Sequence, residues 1–289
     1  MIPDHELFLL KNGIFLDTIG YWSNDIHGIL TYTPDIIGNK NINGKTYRKR
    51  FLKNDENNKI YLPSNFEPSF CDTYCFKIPI DFVEKRFDSK KGYAIIKNSG
   101  LFGNLCESIE ERLGNSNLGI TGSVLAGCNN PQDIDLLVYG IEEFRNLLHE
   151  KESRNIQNKI KSKTFFYPLV TSHSLELIYL NKSKYKFDIC GFEVSLWARY
   201  TKPLEFDIQL TGKVVKQFLI IESDEHSFFS PVIYGCNKGI MLISYDRLLK
   251  GALTLGQKLH VTGEKVRINI DRIEHDGVLF RHNCALELV

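Results

Sequence analysis

The sequence predicts an α+β protein whose helix-containing middle is flanked on both sides by β-rich sequence. Three observations carry this. Short apolar runs broken by Asn12-Gly13 and Asn43-Gly44 fill the first 65 residues, apolar residues at helical spacing follow between 102 and 148, and a period of two returns after residue 201. The 289 residues allow two average domains and a smaller appendage. Hydrophobic residues at 43% and charged residues at 25% are globular values, so disordered and collagenous classes are excluded.

From the N-terminus, strand-like runs at 7–10, 14–21, 29–32 and 47–52 are separated by turn residues, which predicts a β-rich domain over 1–78. The polar stretch 54–58 is expected as an exposed loop, and turn-formers between Pro63 and Pro79 as a linker. Phe102, Leu105, Cys106, Ile109 and Leu113 lie on one helical stripe that Gly114 and Asn115 stop. A strand (118–121), a Gly122-Ser123 turn, a strand (133–139) and a helix with Ile141, Phe144, Leu147 and Leu148 on one face follow, giving a middle domain over 79–200. In 201–289, Phe206, Ile208 and Leu210 alternate with polar residues, as do Leu259, Val261, Val266, Ile268 and Ile270. Gly256 before a strand and Gly263 within it are bend devices of small barrels, so this tail is expected to be an OB-like β-barrel.

No apolar run reaches the ~18 to 20 residues of a membrane helix, and Asp4, His5 and Glu6 stand where a signal peptide needs cations. No membrane association and a cytoplasmic location are expected. The seven cysteines are odd in number, with no CxxC pair, which fits a reducing compartment. Lys+Arg 36 against Asp+Glu 35 leaves +1, and the tail has 11 of each sign, so charge demands no long nucleic-acid track.

The chemistry concentrates in Thr121-Gly122-Ser123, a spacer, and Asp133-Ile134-Asp135-Leu136. On a strand, Asp133 and Asp135 share a face about 6 to 7 Å apart while Ile134 and Leu136 face a core. Their repulsion is roughly 2 to 3 kcal/mol at an effective dielectric of 20, and a divalent cation with hard-oxygen preference, Mg²⁺ or Mn²⁺, is the natural neutraliser. Gly122 permits close backbone approach and Ser123 supplies a hydroxyl at a helix start, a phosphate cradle.

Gly-Ser, nine residues, then Asp-hydrophobic-Asp-hydrophobic resembles the motif of the nucleotidyltransferases of the DNA polymerase beta superfamily, and the Thr-Gly-Ser…Asp-Ile-Asp-Leu…Val-Tyr-Gly wording resembles its stand-alone archaeal and bacterial members. Gln132 departs from the usual hydrophobic residue before the first Asp. The resemblance covers about residues 100–190. It implies a nucleotidyltransferase palm, two Mg²⁺ or Mn²⁺ ions on Asp133, Asp135 and a third carboxylate, and NMP transfer from an NTP with pyrophosphate release. The acceptor stays open among an RNA or tRNA end, a protein and a small-molecule hydroxyl; the alternative is a noncatalytic nucleotide- or nucleic-acid-binding protein. The third carboxylate is Asp188, in a run that puts Lys184, Lys186 and Asp188 on one face, or Asp207. Thr121, Gly122, Ser123, Lys184 and Lys186 are expected to bind nucleotide, although lysines at such an edge also serve to discourage aggregation.

Lys45, Arg48, Lys49, Arg50 and Lys53, interleaved with Tyr47 and Phe51, form the densest basic cluster, either a solvated hairpin or a nucleic-acid contact. His173 and His226 lack metal-ligand spacing, and Cys128 and Cys190 are expected to pack as small hydrophobes.

Overall fold

The computed structural model describes residues 2–49, 66–100, 102–115, 117–147, 167–201 and 204–289. Within it the chain is mixed α+β, mostly sheet with few helices. Contacts divide it into two compact units, one of residues 1–69, 74–148 and 185–201, the other of 70–73, 149–184 and 202–289. The partition does not follow the boundaries at 78 and 200, because side chains from distant segments share each core.

The first unit begins with an antiparallel sheet of β1 (Leu7–Leu10), β2 (Phe15–Thr18), β3 (Asp25–Pro34), β4 (Lys40–Ile42), β5 (Lys45–Lys49), β6 (Glu67–Pro68), β7 (Phe76–Pro79) and β8 (Val83–Phe87), in the order β4-β5-β3-β2-β1-β8 with β7 also on β3. The hairpin β4–β5 turns at Asn43-Gly44, both with positive φ, the conformation a tight two-residue loop demands. The stretch expected as a linker before Pro79 holds β6 and β7 instead. Phe76 and Ile78 alternate with Lys77, and Ile78 enters the core with Leu10, Leu16, Ile26 and Leu30. The expected loop 54–58, and Arg50, Phe51 and Lys53 of the basic cluster, lie outside the described residues.

Helices α1 (Ser89–Lys97) and α2 (Gly103–Leu113) follow, the latter burying Leu105, Cys106, Ile109 and Leu113 as its periodicity predicts. Asp88 caps α1 by accepting from the backbone N–H of Lys91. A second sheet then forms from β9 (Leu118–Thr121) and β10 (Asp133–Tyr139), separated by the short helix α3 (Gly122–Ala126) and followed by α4 (Ile141–Asn146). Its other strands, β11 (Lys186–Ile189) and β12 (Phe192–Arg199), arrive after the helix α5 (Ser172–Lys182), giving the order β11-β12-β10-β9. β10 is parallel to β12 and antiparallel to β9, so it is a central strand. Ile134, Leu136, Leu137 and Val138 are all buried there.

The second unit is a curled sheet of β13 (Phe206–His226), β14 (Val232–Cys236), β15 (Met241–Ser244), β16 (Lys258–Ile270), β17 (Ile273–Phe280) and β18 (Leu286–Leu288). β13 pairs with β16 through Phe206–Ile220 and with β14 beyond it, while β14–β15, β15–β17 and β17–β16 complete a closed ring of pairings. The 21-residue length of β13 makes this possible, since one strand serves both sides of the closure. Leu175 and Ile178 of α5 share the core with Leu219, Tyr234, Leu249 and Leu259. The Tyr234 hydroxyl is buried yet satisfied: it donates to the Leu249 carbonyl and accepts from Ala252 and Leu253 N–H. Among the described residues no helix is long and apolar enough to cross a membrane.

Candidate functional site

The site lies in the first unit, where β9, α3 and β10 meet. Asp135 is the register partner of Thr121, so the two parts of the sequence motif are adjacent strands. Gly122 carries φ +67°, and a Cβ built on it would stand 2.7 Å from Asp135 Oδ2. Glycine is therefore required twice, by the left-handed backbone and by the carboxylate that occupies the space beside it. The other Asp135 oxygen, Oδ1, accepts from Trp197 Nε1 at 3.0 Å. A charge-assisted bond of this kind contributes about 1.5 to 3 kcal/mol and holds the carboxylate against the turn. Asp133, one residue pair further along the same face, is half-buried.

Thr121 and Ser123 are buried rather than open. The Thr121 hydroxyl donates to the His5 carbonyl at 3.2 Å, and the Ser123 side chain lies beside the phenol of Tyr32 on β3. Burial, and then the charges of Asp135 and Asp133, hold the Tyr32 phenol far above its ordinary value, with Ser123 acting in the opposite direction. Tyr32 thus stays a neutral hydroxyl beside two carboxylates. Behind it, His5 packs 5.3 Å from the Trp197 ring, and Glu6 is ion-paired with Arg199 at 2.9 Å and Arg86 at 2.8 Å.

Asp188 lies on the edge strand β11. β12 intervenes between it and β10, a separation of two strand spacings, about 10 Å at the backbone. It is nevertheless in line: Asp188 pairs with Glu193 and Glu193 with Asp133, so the three carboxylates form one row across the sheet. Glu193 accepts from Lys186 Nζ at 2.5 Å, which gives that predicted phosphate ligand a carboxylate partner. Lys184 falls in a 3₁₀ turn, Ser183–Tyr185, rather than on the expected continuous strand. Asp207 belongs to β13 in the other unit, opposite Asn269.

Among the described residues no three His, Cys, Asp or Glu side chains converge as a metal cage. Asp133 and Asp135 by themselves offer carboxylate oxygens, the hard donors that Mg²⁺ and Mn²⁺ accept, and such ions commonly use one or two carboxylates together with substrate phosphates.

Sequence reading missed Tyr32, Trp197 and Glu193. Trp197 and Glu193 share a parity within 192–199, but only the parallel register with β10 reveals which face they occupy. Tyr32 carried no signal, being 89 positions before Thr121 and on a different sheet. No protein-family model, curated protein or solved structure matches the chain.

Proposed function

We propose that the protein is a metal-dependent nucleotidyltransferase of the polymerase beta type, moving an NMP from an NTP to an acceptor hydroxyl. The observation that carries the reading is the contact between Gly122 and the Asp135 carboxylate: two motif parts ten residues apart meet where a phosphate and its counter-ion would have to meet. The sheet order β11-β12-β10-β9, with the paired aspartates on a central strand, is consistent with a palm, and the closed ring of strands in the second unit with an OB-like barrel.

In this reading Asp133 and Asp135 would hold Mg²⁺ or Mn²⁺, and the ion would supply charge neutralisation of the phosphate oxygens. The Gly122-Ser123 backbone lies alongside the phosphates, and Trp197 fixes the Asp135 rotamer. The acceptor oxygen forms the new bond to the α-phosphorus as the bond to the bridging oxygen breaks. Pyrophosphate leaves, and the hydroxyl proton passes to a carboxylate of the Asp133–Glu193–Asp188 row. Positioning and electrostatics supply most of the rate.

The noncatalytic alternative draws on two observations: Asp188 lies two strands from Asp133, and Ser123 is buried rather than open. Incubation with Mg²⁺ or Mn²⁺ and each α-labelled NTP, with total RNA and cell metabolites as acceptors, separates the readings. Label transfer that disappears in Asp133→Ala and Asp135→Ala, with unchanged circular dichroism, is expected. Undiminished transfer in both variants sinks the mechanism, and NTP binding without transfer selects the alternative.

A further inference from the structure

Four titratable side chains lie buried behind the motif, and their arrangement fixes the charge of one of them. Asp4, His5, Glu6 and Asp17 are each 4% exposed or less. Glu6 is held by Arg86 at 2.8 Å and Arg199 at 2.9 Å. His5, in the turn before β1, lies between the other two carboxylates: its Nε2 is 3.4 Å from Asp4 Oδ2 and its Nδ1 is 3.8 Å from Asp17 Oδ1. A neutral imidazole carries one N–H and one lone pair, so either tautomer would turn its lone pair toward a buried carboxylate. Only the imidazolium presents a proton on both sides, and it supplies the positive charge that buried carboxylates require.

The same residue meets the motif at two places. Its carbonyl accepts from the Thr121 hydroxyl at 3.2 Å, at the end of β9. Its ring lies 5.3 Å from the Trp197 ring, inclined at 43°, within the reach of a cation–π attraction. Trp197 Nε1 in turn donates to Asp135 Oδ1 at 3.0 Å. An unbroken set of contacts therefore runs from Asp4 and Asp17 through His5 and Trp197 to the carboxylate beside Gly122.

We propose that His5 is a buried imidazolium and a positioning residue of the site: Asp4 and Asp17 hold its charge, its charge holds the Trp197 indole, and the indole holds Asp135. The positioning role rests on the transfer reaction proposed above, whereas the charge and the indole contact do not.

Nitrogen-15 NMR on the full chain, recorded without nucleotide, tests it. Both ring nitrogens of His5 are expected to carry protons at neutral pH, and a ring with a single protonated nitrogen overturns the proposal. This measurement is made on the unaltered chain, so it does not depend on how any variant folds. The chain has two tryptophans, which makes Trp22 an internal reference for the Trp197 indole signal. His5→Asn removes the cation and keeps a residue that tolerates the left-handed backbone at this position, φ +56°. It is expected to shift the Trp197 indole signal and to lower label transfer roughly tenfold, the scale of one lost hydrogen bond to a charged group, with NTP affinity unchanged. Asp4→Asn/Asp17→Asn leaves the ring in place and is expected to return His5 to one protonated nitrogen, moving the indole signal likewise. An indole signal at its wild-type position in both variants, or wild-type transfer in His5→Asn, overturns the positioning role. A wild-type chain that transfers no label defeats the transfer reading, and the two spectra still decide the charge and the indole contact.

Discussion

Gly122 concentrates the residue-scale argument, because its backbone and its missing side chain answer to different constraints. Gly122→Ala places a methyl group against Asp135 Oδ2 and an L-residue in the left-handed region. It is expected to cost about 1 to 2 kcal/mol from the backbone alone and to abolish label transfer by moving the carboxylate. Urea denaturation and the transfer assay read the two effects, and wild-type activity in the variant would show that the contact is incidental. His27 makes a different prediction. Its ring is stacked on Trp22 at 3.8 Å and bonded to Ser69, and burial with the nearby Lys77 charge lowers its pKa from 6.5 to about 4. Between those values the unfolded chain binds a proton that the folded chain does not. Stability is therefore full above about pH 6.5 and falls as the pH drops toward 4, by about 2 to 3 kcal/mol. Urea midpoints from pH 7.5 to 4.5 should show this slope, and His27→Gln should flatten it; a variant with an unchanged slope would assign the effect to other groups.

At the scale of elements, legibility depended on whether the partner was close in the chain. The Asn43-Gly44 hairpin, the α2 stripe and the β13 alternation are written within a few residues, and each forms as expected. Gly263 belongs with them: it reads as a bend device, and a Cβ there would lie 2.6 Å from the Leu279 carbonyl oxygen on β17. Gly263→Val is expected to push β17 away and lower stability by about 1 to 3 kcal/mol, measured by thermal melting. A melt identical to wild type would mean that the strand pair yields freely. By contrast, the strand expected through Lys184 breaks at a 3₁₀ turn, since α5 carries the chain to Lys182 and leaves only four residues to pair as β11. Phe187 and Ile189 still point inward there, so the alternation survives in the shortened strand.

For the whole molecule, the discontinuous second unit is the feature with consequences. Leu175 and Ile178 of α5 are fully buried among residues of the curled sheet, and Leu288 N–H donates to Ser174 Oγ at 2.8 Å. Residues 201–289 expressed alone should lack a cooperative melt, because removing such side chains costs about 2 to 5 kcal/mol each. A sharp transition at the temperature of the intact chain would show that the curled sheet folds without α5.

The sequence by itself determined the α+β class, the main helices and hairpins, and the pairing of Gly-Ser with Asp-x-Asp, since period, turn chemistry and spacing act over short stretches of chain. Tertiary structure decided which carboxylates share a row, that Tyr32 and Trp197 meet the motif, and that α5 completes the second core. Strand order and register bring together residues that no local preference links, and those long-range pairings determine which polar side chains end up beside one another.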